Sequence, residues 1–256
     1  MLKNEVLQIA LYSGEIMLKS GAETYRVEDI IDRMCKSKEL HEVSSFVTPT
    51  GLFVSDNKTR ESTSIIKRVK NRKIDLDKIS QVNNFARSFV KSEIPYEEAM
   101  NKLKKIDNTP KFHPALTLIL IGLAAAFFTL LSGGKPLDFI ATFFVSIISI
   151  IVFWSIDRLS DTQFLSTTAS AAVISLCSVI SSKIGLVTSF DMIIVGAVMP
   201  LVPGVALTNG IRDLISGDII SGISRVFEAV MIAVSIAVGV GLVLGFWTGV
   251  LGGSLI

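Results

Sequence analysis

The chain has 256 residues, half of them hydrophobic, and a formal net charge of +2, with a mean hydropathy of +0.57. Such a composition is too apolar for an ordinary soluble domain and points to a membrane protein. The net charge says little about partners, and a nucleic-acid role has no basic patch in the sequence to rest on; the two cysteines, Cys35 and Cys177, cannot make a disulfide framework and have no metal-ligand spacing.

Charge is unevenly placed. Of 25 Lys and Arg, 20 lie in residues 1–111, leaving Lys135, Arg158, Lys183, Arg212 and Arg225; 16 acidic residues precede residue 112 and 7 follow it. At the N-terminus, Lys3, Glu5, Glu15 and Lys19 interrupt any signal-type apolar core, so the chain is expected to start in the cytoplasm.

Residues 1–110 are predicted to form a cytoplasmic α/β domain. "EVLQIALYSGEIML" sets Val6, Ile9, Ala10, Ser13, Ile16 and Met17 on one helical face, with Gly21 able to end the helix. Ser20 and Glu23 have capping-box spacing for a second helix, "AETYRVEDIIDRMCK", that turns Val27, Ile30, Ile31 and Met34 inward. "EVSSFVTPTGLFVSD", broken by Pro49 and Gly51, predicts two strands around a turn, and "STSIIKRV" a third. Helical spacing returns through Leu76, Ile79, Val82, Phe85, Ala86 and Phe89, and Pro95 opens a last, Lys-rich helix.

From residue 111 to 256 the expectation is a five-helix transmembrane domain. Five uncharged runs, 114–134, 139–156, 164–182, 192–211 and 229–256, each reach the roughly 20 residues a span needs. The Lys/Arg-rich first half should stay inside, and Arg158 and Arg212 then also fall inside while Lys135 and Lys183 fall outside. The expected placement is multi-pass in the plasma (inner) membrane, N-terminus cytoplasmic and C-terminus outside.

Familiar catalytic signatures are missing, so no catalytic residue, metal or cofactor is predicted. There is no "GxxxxGK[ST]" phosphate loop, and His41 and His113 are too far apart for a zinc-protease pair. Ser64–Lys67 matches Ser-x-x-Lys but reads as strand, "NKT" at Asn57 reads as a turn, and "GVG" at 239–241 lies in an apolar run.

Three features of the membrane half stand out. Ala229, Ala233, Ala237, Gly241, Gly245 and Gly249 recur every four residues, a small-residue stripe for close helix packing, either within the chain or against a separate membrane subunit. The third run carries Ser166, Ser170, Ser178 and Ser182 on one face; they bond back to their own helix or line a polar pathway. The fourth run ends in "MPLVPGVALTNGIRDLISGD". A charged side chain at mid-bilayer costs ~2.5–3.5 kcal/mol, and proline removes a backbone donor. Interrupted helices are tolerated at membrane depth where they line protein or a wet cavity. Pro200, Pro203, Gly204, Thr208, Asn209, Arg212 and Asp213, with Arg225 and Glu228 on the next helix, are therefore the candidate substrate site or gate. The alternative makes Arg212 and Asp213 simple interface anchors.

The stretch "MPLVPGVALTNGIRDLISGDIISGISRVFEA", with "SGAETYRVED", "VTPTGLFVS" and "KISQVNNFAR", resembles the threonine/serine exporter family over essentially the whole chain. The resemblance implies secondary export of small polar metabolites: threonine and serine, or succinate in a split type. Single-chain members carry a second membrane domain after a region like this one, so the resemblance is to the larger subunit of the two-component type. It implies a small second membrane subunit as partner, besides a small carboxylate substrate and the lipid bilayer; a homo-oligomer is a further open arrangement. Competing functions are a membrane-anchored enzyme, in which Glu23, Arg26, Thr48, Thr50 and Asn83 would converge within residues 1–110, and a metabolite sensor gating the membrane half.

Overall fold

The computed structural model describes residues 1–56, 63–70, 72–110, 112–160, 162–187 and 189–250. Asn57 of the predicted turn lies outside them. The chain is mostly helical and divides into two compact units, one of Met1–Pro110 with Val205–Phe227, the other of Lys111–Gly204 with Glu228–Ile256. Val205–Phe227, which the sequence reading gives to the membrane half, thus groups with the N-terminal residues.

The first unit contains helices α1 (Lys3–Lys19) and α2 (Thr24–Lys36), strands β1 (Val43–Thr48), β2 (Gly51–Asp56) and β3 (Thr63–Arg68), and helices α3 (Leu76–Lys91) and α4 (Tyr96–Asp107). Its α/β character rests on that one sheet, antiparallel in the order β1-β2-β3. The pairing sets Val47 opposite Leu52, and these two with Val54 are buried on one face while Phe46, Phe53 and Ile66 are exposed on the other. The helix α1 departs from its expected single apolar face. Leu7, Leu11, Gly14 and Leu18 are buried as well, because α1 is the central rod against which α2, α3, α4 and β2 pack. A Cβ on Gly14 would meet Ile31 Cδ1 at 2.8 Å, so α1 and α2 pack closely there and a larger residue would make the Ile31 side chain shift. In α3 the predicted face is buried from Ile79 to Phe89, but Leu76, at the first position, is exposed.

The expected capping box of Ser20 and Glu23 does not form. Ser20 closes the end of α1, and Glu23 is itself the N-cap of α2, with no side-chain cap bond. Gly21, at φ 85°, makes the reversal between them.

The second unit is built from α5 (Pro114–Leu131), α6 (Pro136–Ser160), α7 (Gln163–Lys183), α8 (Phe190–Val198), a short 3-10 helix (Met199–Leu201) and the C-terminal part of α10 (Ile219–Val250). Among the described residues four helices, α5, α6, α7 and α10, are long and apolar enough to cross a membrane. The fourth predicted run is not one continuous helix. It is the broken pair Phe190–Leu201 and Gly204–Ile215, and five spans result if that pair crosses as one. The physical cause is Pro203, which has no N–H and forces the residue before it out of the helical region; Val202 sits at φ −64° and ψ 128°. Gly204–Ile215 resumes as helix α9.

Within this unit α5, α6, α7 and α8 pack through small and hydroxyl residues. Thr129 Oγ1 donates to Thr142 Oγ1 at 2.8 Å, and a Cβ on Gly196 would meet the Ala125 carbonyl at 2.8 Å. On the serine face of α7, Ser166 and Ser178 bond back to the carbonyls of Thr162 and Ile174. Ser170 instead donates to the Ser149 carbonyl of α6 at 2.8 Å. Ser166, Ser170 and Ser178 are buried and Ser182 half-buried, with Ser170 supplying a polar contact to α6.

Candidate functional site

The candidate site is a hairpin of α9 and the first turns of α10, packed on the elbow between α1 and α2. The hairpin turns at Gly217, φ 94°, with the Asp218 N–H closing onto the Asp213 carbonyl at 2.9 Å. Its two helices are almost in backbone contact. A Cβ on Gly222 would meet the Gly210 carbonyl at 2.8 Å, and one on Gly210 would meet the Val226 nitrogen at 3.0 Å. Asn209, Arg212 and Asp213 follow helical spacing, and Asn209 and Asp213 are buried on the inner face with Ser221 and Arg225 of α10.

Against this face lie the backbone ends of two helices. The Gly21 carbonyl accepts from Asn209 Nδ2 at 2.8 Å, and the Ala22 carbonyl accepts from Arg225 Nη2 at 2.6 Å. Both carbonyls follow the C-terminus of α1, where cations and donors are favoured. At the start of α2 the polarity reverses: the Thr24 N–H donates to Asp213 Oδ1 at 3.1 Å, and the Thr24 hydroxyl donates to Asp218 Oδ2 at 3.1 Å. A carboxylate there satisfies an amide that the helix leaves unpaired and meets the positive end of its dipole. Asp213 and Arg225 also form an ion pair, Nε to Oδ2 at 3.1 Å, with side chains 0% and 5% exposed.

Arg212 is different. Its side chain is 56% exposed, and one nitrogen, Nη1, holds Glu23 Oε1 at 2.7 Å. The other Glu23 oxygen holds Arg26 Nη1 at 3.0 Å. Burial alone would raise the Glu23 pKa, but the N–H of its own residue and the two arginines outweigh it and bring it below the usual value.

The remaining predicted residues scatter. Pro200, Gly204 and Thr208 are exposed, and Pro203 and Glu228 are half-buried. Along α10, Ala229 is buried, but Ala233 and Ala237 are exposed, and a Cβ added to Gly241, Gly245 or Gly249 would meet nothing within 4 Å. The chain's own seam runs through Ala229, Ile232 and Ser235 to Gly239, whose added Cβ would run into the backbone of α7. Of the residues grouped within 1–110, Glu23 and Arg26 pair, and Arg26 and Asn83 line one cleft, whereas Thr48 and Thr50 sit at the β1–β2 turn. Thr24, Asp218, Ser221 and the carbonyls of Gly21 and Ala22 were not foreseen. A Gly at the end of one helix followed by an acid at the start of the next is the signal that marks such an elbow. Among the described residues no group of three or more His, Cys, Asp or Glu could hold a metal ion.

Comparison with known proteins adds a family to this geometry. The threonine/serine exporter model, ThrE, matches residues 8–247. The chain is 23% identical over 250 residues to the probable succinate transporter subunit YjjP of Klebsiella aerogenes, covering 94% of this chain and 92% of that one. It is 21% identical to the protein of the same name from Escherichia coli, covering 94% of each. A probable threonine/serine exporter of Mycobacterium tuberculosis is 20% identical over 92% of this chain but only 45% of its own length. No solved structure matches.

Proposed function

This chain belongs to the threonine/serine exporter family, and on that premise we propose that it is one subunit of a secondary exporter of small carboxylate-bearing metabolites. The observation that carries the reading is Arg212. It is a half-exposed guanidinium on the helix after the proline break, and it grips a carboxylate, that of Glu23, through a single nitrogen at 2.7 Å. Its remaining donors can form a forked pair with a substrate carboxylate. Glu23 then acts as the resident competitor: it holds Arg212 while the site is empty and falls back on Arg26 when substrate arrives. Arg225 and Asp213, buried and committed to each other and to the elbow, hold the hairpin in place. Support for an amino acid or a dicarboxylate as cargo comes from the relatives' names, and for a split arrangement from the nearly full-length match to proteins called transporter subunits. The test is efflux of radiolabelled succinate, threonine and serine from cells expressing the chain with and without a co-encoded small membrane protein. Efflux that is independent of the chain overturns the reading.

The partner's docking surface is assigned to the outward stripe of α10. Gly241→Leu with Gly245→Leu should abolish co-purification of the second subunit, because helix attraction in lipid is short-range packing. The chain's own melting curve should stay in place, since both positions open onto empty space. Gly239→Leu should do the reverse and destabilise the chain itself. Retained co-purification in the double variant would remove the stripe as a contact surface.

The N-terminal unit is assigned to the cytoplasm and the C-terminus to the outside of the plasma membrane. Single cysteines at Gly134 and Ser182, on a Cys-free background, should label with an impermeant thiol reagent from outside, and one at Ser160 should not. Labelling at Ser160 alone inverts the orientation.

A further inference from the structure

A second charged feature lies in the first unit, away from the α9–α10 hairpin. Helices α2 and α3 enclose a cleft of about 380 Å³, within the size range of small-molecule sites. Both helices present it with the same spacing, i, i+3, i+4, i+7 and i+8, starting at Arg26 on α2 and Asn83 on α3. The floor is apolar, with Ile30, Met34 and Ala86 buried. The rim is cationic: Arg26 and Arg33 from α2 face Arg87 and Lys91 from α3, against one carboxylate, Asp29. Arg33 is paired with Asp29, and Arg26 with Glu23. Arg87 and Lys91, one helical turn apart and exposed, have no carboxylate partner among the described residues.

We propose that this cleft binds an organic polyanion of nucleotide size, its phosphate groups held by Arg87, Lys91, Arg33 and Arg26 and its body laid against the half-buried Val90 above the apolar floor. Two cations without a carboxylate partner, flanked by two that carry one each, offer more charge than a single carboxylate ligand needs. An apolar floor between them disfavours a bare inorganic ion, which gains nothing from it. Arginine forks match phosphate oxygens in pairs, and Asn83 adds a neutral donor and acceptor at the same wall. The binding requires no turnover, consistent with the missing phosphate loop. The cleft is also wired to the hairpin, a link that rests on the transport reading. Arg26 lines the cleft, and its partner Glu23 is the carboxylate that holds Arg212. A polyanion that draws Arg26 away leaves Glu23 to Arg212 alone and strengthens the competitor against substrate.

The experiment is equilibrium binding of ATP and GTP, in EDTA, to the full-length chain in lipid nanodiscs, with succinate and inorganic phosphate as bare-charge controls. At least one nucleotide should bind saturably and at least tenfold tighter than either control. Arg87→Gln with Lys91→Gln should weaken it at least tenfold, while Lys104→Gln on α4 should leave it unchanged. Glu23→Gln should tighten it several-fold by releasing Arg26, the opposite sign to simple damage. The proposal is overturned if neither nucleotide binds, if phosphate or succinate binds equally well, or if the Arg87/Lys91 variant keeps full affinity. An unchanged affinity in Glu23→Gln overturns the link to Arg212 and, with the other results intact, leaves the binding site standing. Binding is read without transport, so loss of the exporter reading and loss of the cleft are separate results.

Discussion

Arg225→Ala is expected to destabilise the protein by about 3–5 kcal/mol, the cost of removing one partner of a buried ion pair. The side chain is 5% exposed and its carboxylate partner Asp213 is fully buried. Truncation strands that carboxylate in the interior and leaves the Ala22 carbonyl without the donor now at 2.6 Å. Melting curves of the purified protein read the loss. Asp213→Asn should also be strongly destabilising: the amide keeps an acceptor for the Thr24 N–H but turns an NH2 toward Arg225 Nε and leaves that buried cation without its carboxylate. The double variant Arg225→Ala with Asp213→Ala should lose clearly less than the sum of its single changes, since no unpaired charge is left behind. Arg212→Ala sets the comparison: its half-exposed pair is worth about 0–1 kcal/mol, so the fold should barely notice. Equal melting temperatures for Arg225→Ala and wild type would show that this pair does not hold the hairpin on the elbow.

Function should respond in the opposite order. Arg212→Ala, with the fold intact, is expected to reduce export at least tenfold, since a charged hydrogen bond contributes about 1.5–3 kcal/mol. Arg212→Lys should rescue poorly, because an ammonium is a point charge and cannot reproduce the planar two-bond grip. Glu23→Gln removes the competing charge, so it should lower the substrate concentration for half-maximal export while slowing release. Efflux rates across a range of internal substrate concentrations, normalised to the amount of protein in the membrane, separate these effects. If Arg212 is only an interface anchor, Lys restores export almost fully. That outcome would remove it from the substrate site.

Several parts of this molecule are legible in its sequence. The apolar runs, the helices at 3.6-residue spacing, the three strands and the break at Pro203 are written in local chemistry, where each residue's preference and its near neighbours decide the outcome. The interruption was visible as composition, because prolines and charges in an apolar run have no cheap local explanation. The family resemblance was readable for the same reason, as a long stretch of particular residues.

Where Arg212 and Arg225 lie, and what each one pairs with, was decided only by the tertiary structure. In sequence they are two equivalent cations near two carboxylates. In the fold one is buried against Asp213 and the Ala22 carbonyl, and the other is half-exposed on Glu23, 189 residues away along the chain. Which face of α10 packs inward was equally hidden. Gly239 and Gly241 are two residues apart, about 200° around the helix, and small side chains occur on both faces. A spacing rule finds a stripe but not its neighbour. Long-range pairing and the choice between two similar faces depend on which segments meet, and no periodicity along the chain encodes that meeting.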